Sequence, residues 1–151
     1  MRNRNVLRVN CFCSLSCIGL LSAIGLLSGC GGNENLSYVT GTVRLDEEVL
    51  PNAFIVFSPT SGGTTSYGRT DANGQYEMMF NDYEKGAWIG ENRVEISTGD
   101  VDATGSGGAP EKVPAVYNQR STLKVEVTSG NNTHDFDLKS DAGRVIQLPP
   151  E

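Results

Sequence analysis

Residues 50–59 read LPNAFIVFSP, and Ala53-Phe54-Ile55-Val56-Phe57 at the centre is apolar at every position. Apolar side chains on both faces of so short a run mark a central strand or one with an additional packed surface. Pro51 and Pro59 bracket it without removing a donor from its ladder. Working outward, the flanking segments alternate with a period of two, not 3.6. Upstream, Val39, Gly41, Val43 and Leu45 share one face and Thr40, Thr42 and Arg44 the other, before Asp46, Glu47 and Glu48 supply a turn. Downstream, residues 65–69 and 75–80 flank Thr70-Asp71-Ala72-Asn73-Gly74, whose Asn-Gly step suits the positive φ of a tight turn and predicts a hairpin.

The alternation continues. Residues 92–98 set Val94 and Ile96 against Arg93 and Glu95, and residues 121–128 set Leu123, Val125 and Val127 against Thr122, Lys124 and Glu126. Residues 129–132 turn the chain into 133–139, where Phe136 and Leu138 face inward. These segments predict an all-β fold, a seven-stranded antiparallel β-sandwich with no helix. The longest irregular segment, 99–120, starts rich in Gly, Ser and Asp and ends in Val113-Pro114-Ala115-Val116-Tyr117-Asn118. Loops of that length inside compact domains are usually functional or disordered. The tail after Ser140 reads equally as an edge strand or a disordered end.

The chain has 151 residues, enough for one domain and a targeting segment. All four cysteines, Cys11, Cys13, Cys17 and Cys30, precede residue 31, so the rest can form neither an internal disulfide nor a thiolate metal site. Net charge is -6. Residues 1–29 hold Arg2, Arg4 and Arg8 and no acid, which leaves nine bases against all eighteen acids in the remainder. That balance argues against nucleic acid as a partner.

Residues 1–10 are basic and residues 11–27 uncharged and mostly apolar, the n-region and h-region of a secretory signal. The apolar run is shorter than the roughly 20 residues of a spanning helix and is interrupted by Ser14, Ser16, Gly19, Ser22 and Gly25. Leu27-Ser28-Gly29-Cys30 at its end resembles the lipobox of bacterial lipoproteins. The resemblance implies a diacylglyceryl group on the Cys30 thiol, cleavage between Gly29 and Cys30, and a mature protein lipid-anchored in the inner or outer membrane and facing the periplasm or exterior. A thiolate nucleophile is needed for that transfer, and two or three acyl chains give a lasting anchor where one gives reversible binding. The expected organisation is a signal peptide over 1–29, the lipidated cysteine and a flexible tether over 30–37, a sandwich over 38–139 and a tail over 140–151.

Val39-Thr40-Gly41-Thr42-Val43, then Leu50-Pro51-Asn52-Ala53 leading into the apolar strand, then Thr70-Asp71-Ala72-Asn73-Gly74-Gln75-Tyr76, resembles the carboxypeptidase regulatory-like domain. The later stretches Gly86-Ala87 to Ser97 and Val113 to Asn118 are similar to small bacterial lipoproteins that carry it. The resemblance implies a transthyretin-like (prealbumin-like) Greek key and an accessory module for folding, adhesion or polysaccharide handling. Gly41 is expected to be a bulge or close-packing glycine.

Transthyretin-like folds include hydroxyisourate hydrolases, whose sites use several histidines and a tyrosine-rich C-terminal motif. Here His134 is the sole histidine and the chain closes on Leu148-Pro149-Pro150-Glu151, so the expectation is a noncatalytic module with no cofactor and no metal. Asp71 and Asn73 echo the start of a calcium loop, but the glutamate at EF-hand spacing is missing and a plain turn is the better reading. Tyr83, Trp88 and Tyr117 fall in loops, where exposed rings stack sugars or grip partners, although Trp88 beside Ile89 also fits a cap on the core. The expected contact surface for an envelope protein or a polysaccharide is the long loop, with Tyr117 as anchor and Asp100, Asp102 and Glu111 as an acidic rim admitting calcium or a basic partner. Trp88 is a secondary candidate at the far end of the same strand.

Overall fold

The computed structural model describes residues 34–99 and 109–147. The expected signal peptide over 1–29, Cys30, Asp100, Asp102 and residues 148–151 lie outside them. Among the described residues there are ten strands: β1 (Leu36–Leu45), β2 (Glu48–Val49), β3 (Phe54–Pro59), β4 (Ser66–Arg69), β5 (Gln75–Glu77), β6 (Ala87–Trp88), β7 (Gly90–Ser97), β8 (Lys124–Val127), β9 (Asn131–Thr133) and β10 (Phe136–Leu138). Two short 3-10 turns, Ala115–Tyr117 and Ser140–Ala142, complete the set.

The strands form two sheets of an all-β sandwich. In the first, β1 is the axis: on one side it pairs antiparallel with β6, β5 and β2 in succession, and on the other it pairs parallel with β9 and β10. The second sheet runs β4-β3-β7-β8, antiparallel throughout. Val39 and Val43 from β1 meet Ile55 and Phe57 from β3 and Val94 and Ile96 from β7, all fully buried. The apolar stretch of residues 53–57 is therefore a central strand of the second sheet. Its outward side chains Phe54 and Val56 are half-buried, with Tyr67 stacked on Phe54 and the Arg69 guanidinium over the same ring. The arms of the expected hairpin part into different sheets, β4 beside β3 and β5 beside β1, because the chain crosses over at the Asp71–Gly74 turn; an isolated bridge, in which Tyr67 and Met79 exchange backbone hydrogen bonds, links them beyond β5.

The sheets depart from seven antiparallel strands in ways with local causes. The final strand expected over 133–139 is reduced to β10, and β9 forms in residues 131–133, of which 131 and 132 were expected to turn; both run parallel to β1 in one constant register that pairs Tyr38 with Asn131 and Val43 with Phe136. Between β9 and β10, a side chain replaces a carbonyl: the Thr42 N–H donates to the Asp135 carboxylate (2.7 Å). The His134 N–H still donates to the Thr40 carbonyl, and the His134 carbonyl accepts from the buried Tyr76 hydroxyl (2.7 Å). Gly41 makes this approach possible, since a Cβ there would lie 1.8 Å from the His134 carbonyl oxygen.

Residues 46–48 do not all turn. Asp46 and Glu47 adopt left-handed φ of 52° and 73°, and Glu48 already pairs with Leu45 as β2. The Asp46 carboxylate accepts from the Ser140 N–H (3.0 Å), and those hydrogen bonds to Ser140 lower its pKa. Asp71 likewise accepts from the backbone N–H groups of Gln75 and Asn73, which lower its pKa. Its carboxylate builds the turn. β8 begins three residues later than expected: the Val94 N–H still donates to the Leu123 carbonyl, but the Val94 carbonyl accepts from the Ser121 hydroxyl in place of a backbone N–H. β1 starts at Leu36, so Leu36 and Ser37 belong to the sheet and not to a tether.

Candidate functional site

One pole of the sandwich is built from the segments at which sequence reasoning placed a long loop and an undecided tail. β7 ends there at Ser97, β10 at Leu138 and β1 at Leu45. The described part of the loop, 109–120, folds inward as a plug: Val113, Pro114, Ala115 and Asn118 are buried beneath the 3-10 turn, and Val113 belongs to the core. Residues 140–147 pack on the plug. The Ala115 N–H donates to the Arg144 carbonyl, while Gln147 accepts from the Glu111 N–H and donates to the Glu111 carbonyl (both 2.9 Å). The tail is thus neither an edge strand nor loose as far as Gln147.

Glu111 is not on an acidic rim. It is buried, and its carboxylate accepts from the N–H groups of Thr98, Gly99, Lys112 and Val113 and from the Thr98 hydroxyl, at 2.7–3.2 Å. A carboxylate so engaged and buried ties the two described ends of the long loop together and is not presented to a partner. Tyr117 is not a presented anchor either. Its ring packs on the core and its hydroxyl accepts from the Lys139 N–H (3.3 Å).

Among the described residues, this pole carries a groove that is basic and aliphatic. Ala115, Val116, Arg120, Gly143, Arg144, Val145 and Ile146 line an open groove of about 440 Å³. Val116 and Val145 are 37% and 39% exposed. Elsewhere Arg44, Lys85, Arg93, Lys124 and Lys139 pair with carboxylates. Among the described residues, Lys112, Arg120 and Arg144 enter no ion pair, and all three belong to the two segments of this pole. Sequence reasoning missed them because the acids of the same loop dominate its composition.

At the opposite pole, Trp88 lies in β6 opposite Leu36, half-buried, its ring 6.0 Å from Phe80 and over the Gly63 backbone. It caps an end of the sandwich. Tyr83 is 94% exposed at the tip of a loop held by the Asn81 carboxamide, which accepts from the N–H groups of Tyr83 and Glu84. A second groove, of about 580 Å³, lies between Tyr67, Met79, Phe80, Asn81 and Asp82. His134 faces Phe57 with ring centroids 6.3 Å apart, and its Nε2 is buried with no partner. Burial lowers its pKa, against the opposing pull of a hydrogen bond to the Glu126 backbone and the charge of Asp135. No described serine or carboxylate side chain completes a relay with it. Among the described residues, no cluster of three or more His, Cys, Asp or Glu could hold a metal ion.

No family model matches the chain, and no curated protein matches it. Among solved structures, the chain is similar to a DUF3823 family protein from Parabacteroides merdae, at 10% identity and a TM-score of 0.38 over 70% of this chain. The match spans 47% of that protein's length.

Proposed function

We propose that the chain is a cell-envelope lipoprotein in which a noncatalytic β-sandwich, held at a membrane surface by an acylated Cys30, acts as a binding or structural module. The observation that carries this reading is the lipobox-like Leu27-Ser28-Gly29-Cys30 at the end of an apolar run, six residues before β1 begins. Five intervening residues reach about 20 Å at most, which keeps the domain beside the bilayer. Among the described residues no helix is long and apolar enough to cross a membrane. Within the sandwich, the finer assignment is a carboxypeptidase regulatory-like, transthyretin-like module, supported by the order of β1, β3 and the Asp71–Gly74 turn. The test is metabolic labelling with a radioactive fatty acid and detergent-phase partitioning of the wild type and Cys30→Ala. Label and partitioning that disappear together support the anchor. An unlabelled protein that stays in the membrane with an intact N-terminus is a signal anchor and refutes it.

A second reading, a carbohydrate-binding accessory module, is favoured by the groove that sets the half-exposed Tyr67 beside Phe80 and Asp82. Rings flanked by a carboxylate suit a sugar's apolar face and hydroxyls. Affinity electrophoresis through envelope polysaccharides would show retardation lost in Tyr67→Ala if this reading is right, and identical mobility of both proteins if it is wrong.

A further inference from the structure

We propose that the groove between the 115–120 plug and residues 143–146 binds an extended acidic peptide segment carrying aliphatic side chains. This names the partner class of the binding module and so rests on that reading. The lining combines aliphatic side chains, Ala115, Val116, Val145 and Ile146, with the guanidinium-bearing Arg120 and Arg144. Both arginines are exposed and without ion pairs in a protein whose acids outnumber its bases, and most of its other cations are already engaged with carboxylates. Guanidinium groups receive carboxylates through paired N–H donors, a match of geometry as well as charge. Asp141, exposed three residues before Arg144, offsets part of the charge, and Lys112 on the plug adds to it.

The backbone supplies the second argument. Among the described residues, the single backbone hydrogen bond made by residues 144–147 is the one from Ala115 to the Arg144 carbonyl. The donors and acceptors that remain can pair with an extended peptide, the mode in which main-chain bonds give affinity and side-chain pockets give selectivity. The described lining contains no aromatic ring on which a sugar or base would stack. An aliphatic and cationic lining and the unpaired backbone beside it together specify alternating apolar and acidic side chains. The groove volume lies in the range of about 300–1,000 Å³ common for binding clefts.

The full chain in detergent micelles is titrated into a fluorescein-labelled decapeptide alternating leucine with glutamate, and into its counterpart with lysine for glutamate, with anisotropy as readout. The glutamate peptide should bind, the lysine peptide should not, and affinity should fall with added salt. The double variant R120E/R144E should weaken binding at least tenfold, equivalent to about 1.4 kcal/mol, while Arg144→Lys should retain part of it. Neither side chain makes a contact that holds the fold, so the thermal midpoint of the reversed variant should match the wild type. Equal binding of both peptides, no binding at millimolar protein, or unchanged affinity in R120E/R144E overturns the proposal. Cys30→Ala should lose membrane partitioning and keep peptide binding, so failure of the anchor and failure of the groove are read separately.

Discussion

Gly41→Ala tests the central feature of the first sheet, because the sign of its effect depends on a single close approach. In an ordinary strand, replacing glycine by alanine stabilises by about 0.5–1 kcal/mol, since the unfolded chain loses freedom. At position 41 the new Cβ would stand 1.8 Å from the His134 carbonyl oxygen, 2.7 Å from its carbon and 2.9 Å from Cε1 of Tyr76. Relief requires the strand pair β9 and β10 to retreat from β1 by more than an ångström, because two of the three obstacles are backbone. That retreat stretches three hydrogen bonds at once: His134 N–H to the Thr40 carbonyl (2.9 Å), Tyr76 hydroxyl to the His134 carbonyl (2.7 Å) and Thr42 N–H to Asp135 (2.7 Å). At about 1 kcal/mol each, the loss is on the order of 3 kcal/mol before any loss of packing around Phe136. For a domain of this size that is a fall of about 10–20 °C in thermal midpoint. Urea unfolding followed by Trp88 fluorescence and by circular dichroism measures it. Tyr76→Phe, which removes one of the three bonds, should lose about one third as much. A Gly41→Ala protein as stable as the wild type would mean that β9 and β10 do not lie against β1 as described.

Glu111→Ala leaves the donors of Thr98, Gly99, Lys112 and Val113 without their acceptor and should cost about 2–4 kcal/mol in chemical denaturation; Glu111→Gln, which keeps one oxygen acceptor, should cost less, and equal losses would contradict this geometry. Glu47→Gly relieves a left-handed φ of 73° and should raise stability by about 0.5–1 kcal/mol, since its ion pair with Lys139 is solvent-exposed; a lowered midpoint would mean that the turn does not need that conformation. His134 has a native pKa lowered by burial, so the unfolded chain takes up its proton first. Stability from this group is full above about pH 6.5 and is lost as pH falls towards the native value; His134→Gln should flatten the fall in midpoint between pH 7 and 5, and an unchanged slope would assign it to other groups.

The strands that bury one face were legible because their period of two survives in Val39 and Val43, in Val94 and Ile96, and in the flanks of the Asn73-Gly74 turn. What was not legible depends on partners far away in the chain. Nothing local in residues 131–138 shows that they run parallel to β1, because parallel and antiparallel ladders bury the same alternating side chains. The clue was Gly41, a glycine in an otherwise β-branched stretch, whose requirement becomes explicit only when the His134 carbonyl lies against it. The short strands β2 and β6 carry two residues each, too few for any pattern. Glu111 was misread for a related reason. A carboxylate in a glycine-rich loop has the composition of a solvated surface, and only the fold shows the donors converging on it from both ends of the loop.

The same convergence governs where recognition can occur. By drawing Thr98 and Val113 together, Glu111 turns the described part of the loop into a plug whose inner side completes the core through Val113 and Ala115. The outer side must then carry whatever the core does not need, and that is Val116, Arg120 and the Arg144–Ile146 stretch laid across it. β1 separates this surface from its own first residue, since it runs from Leu36, paired with Trp88, to Leu45, paired with Leu138. With an anchor at Cys30, the lipid would attach beyond the Leu36 end and the cationic groove would lie at the other end of a ten-residue strand, about 30 Å long at the rise of a β-strand. Under that proposal, the groove would be open to acidic partners from the side away from the anchor.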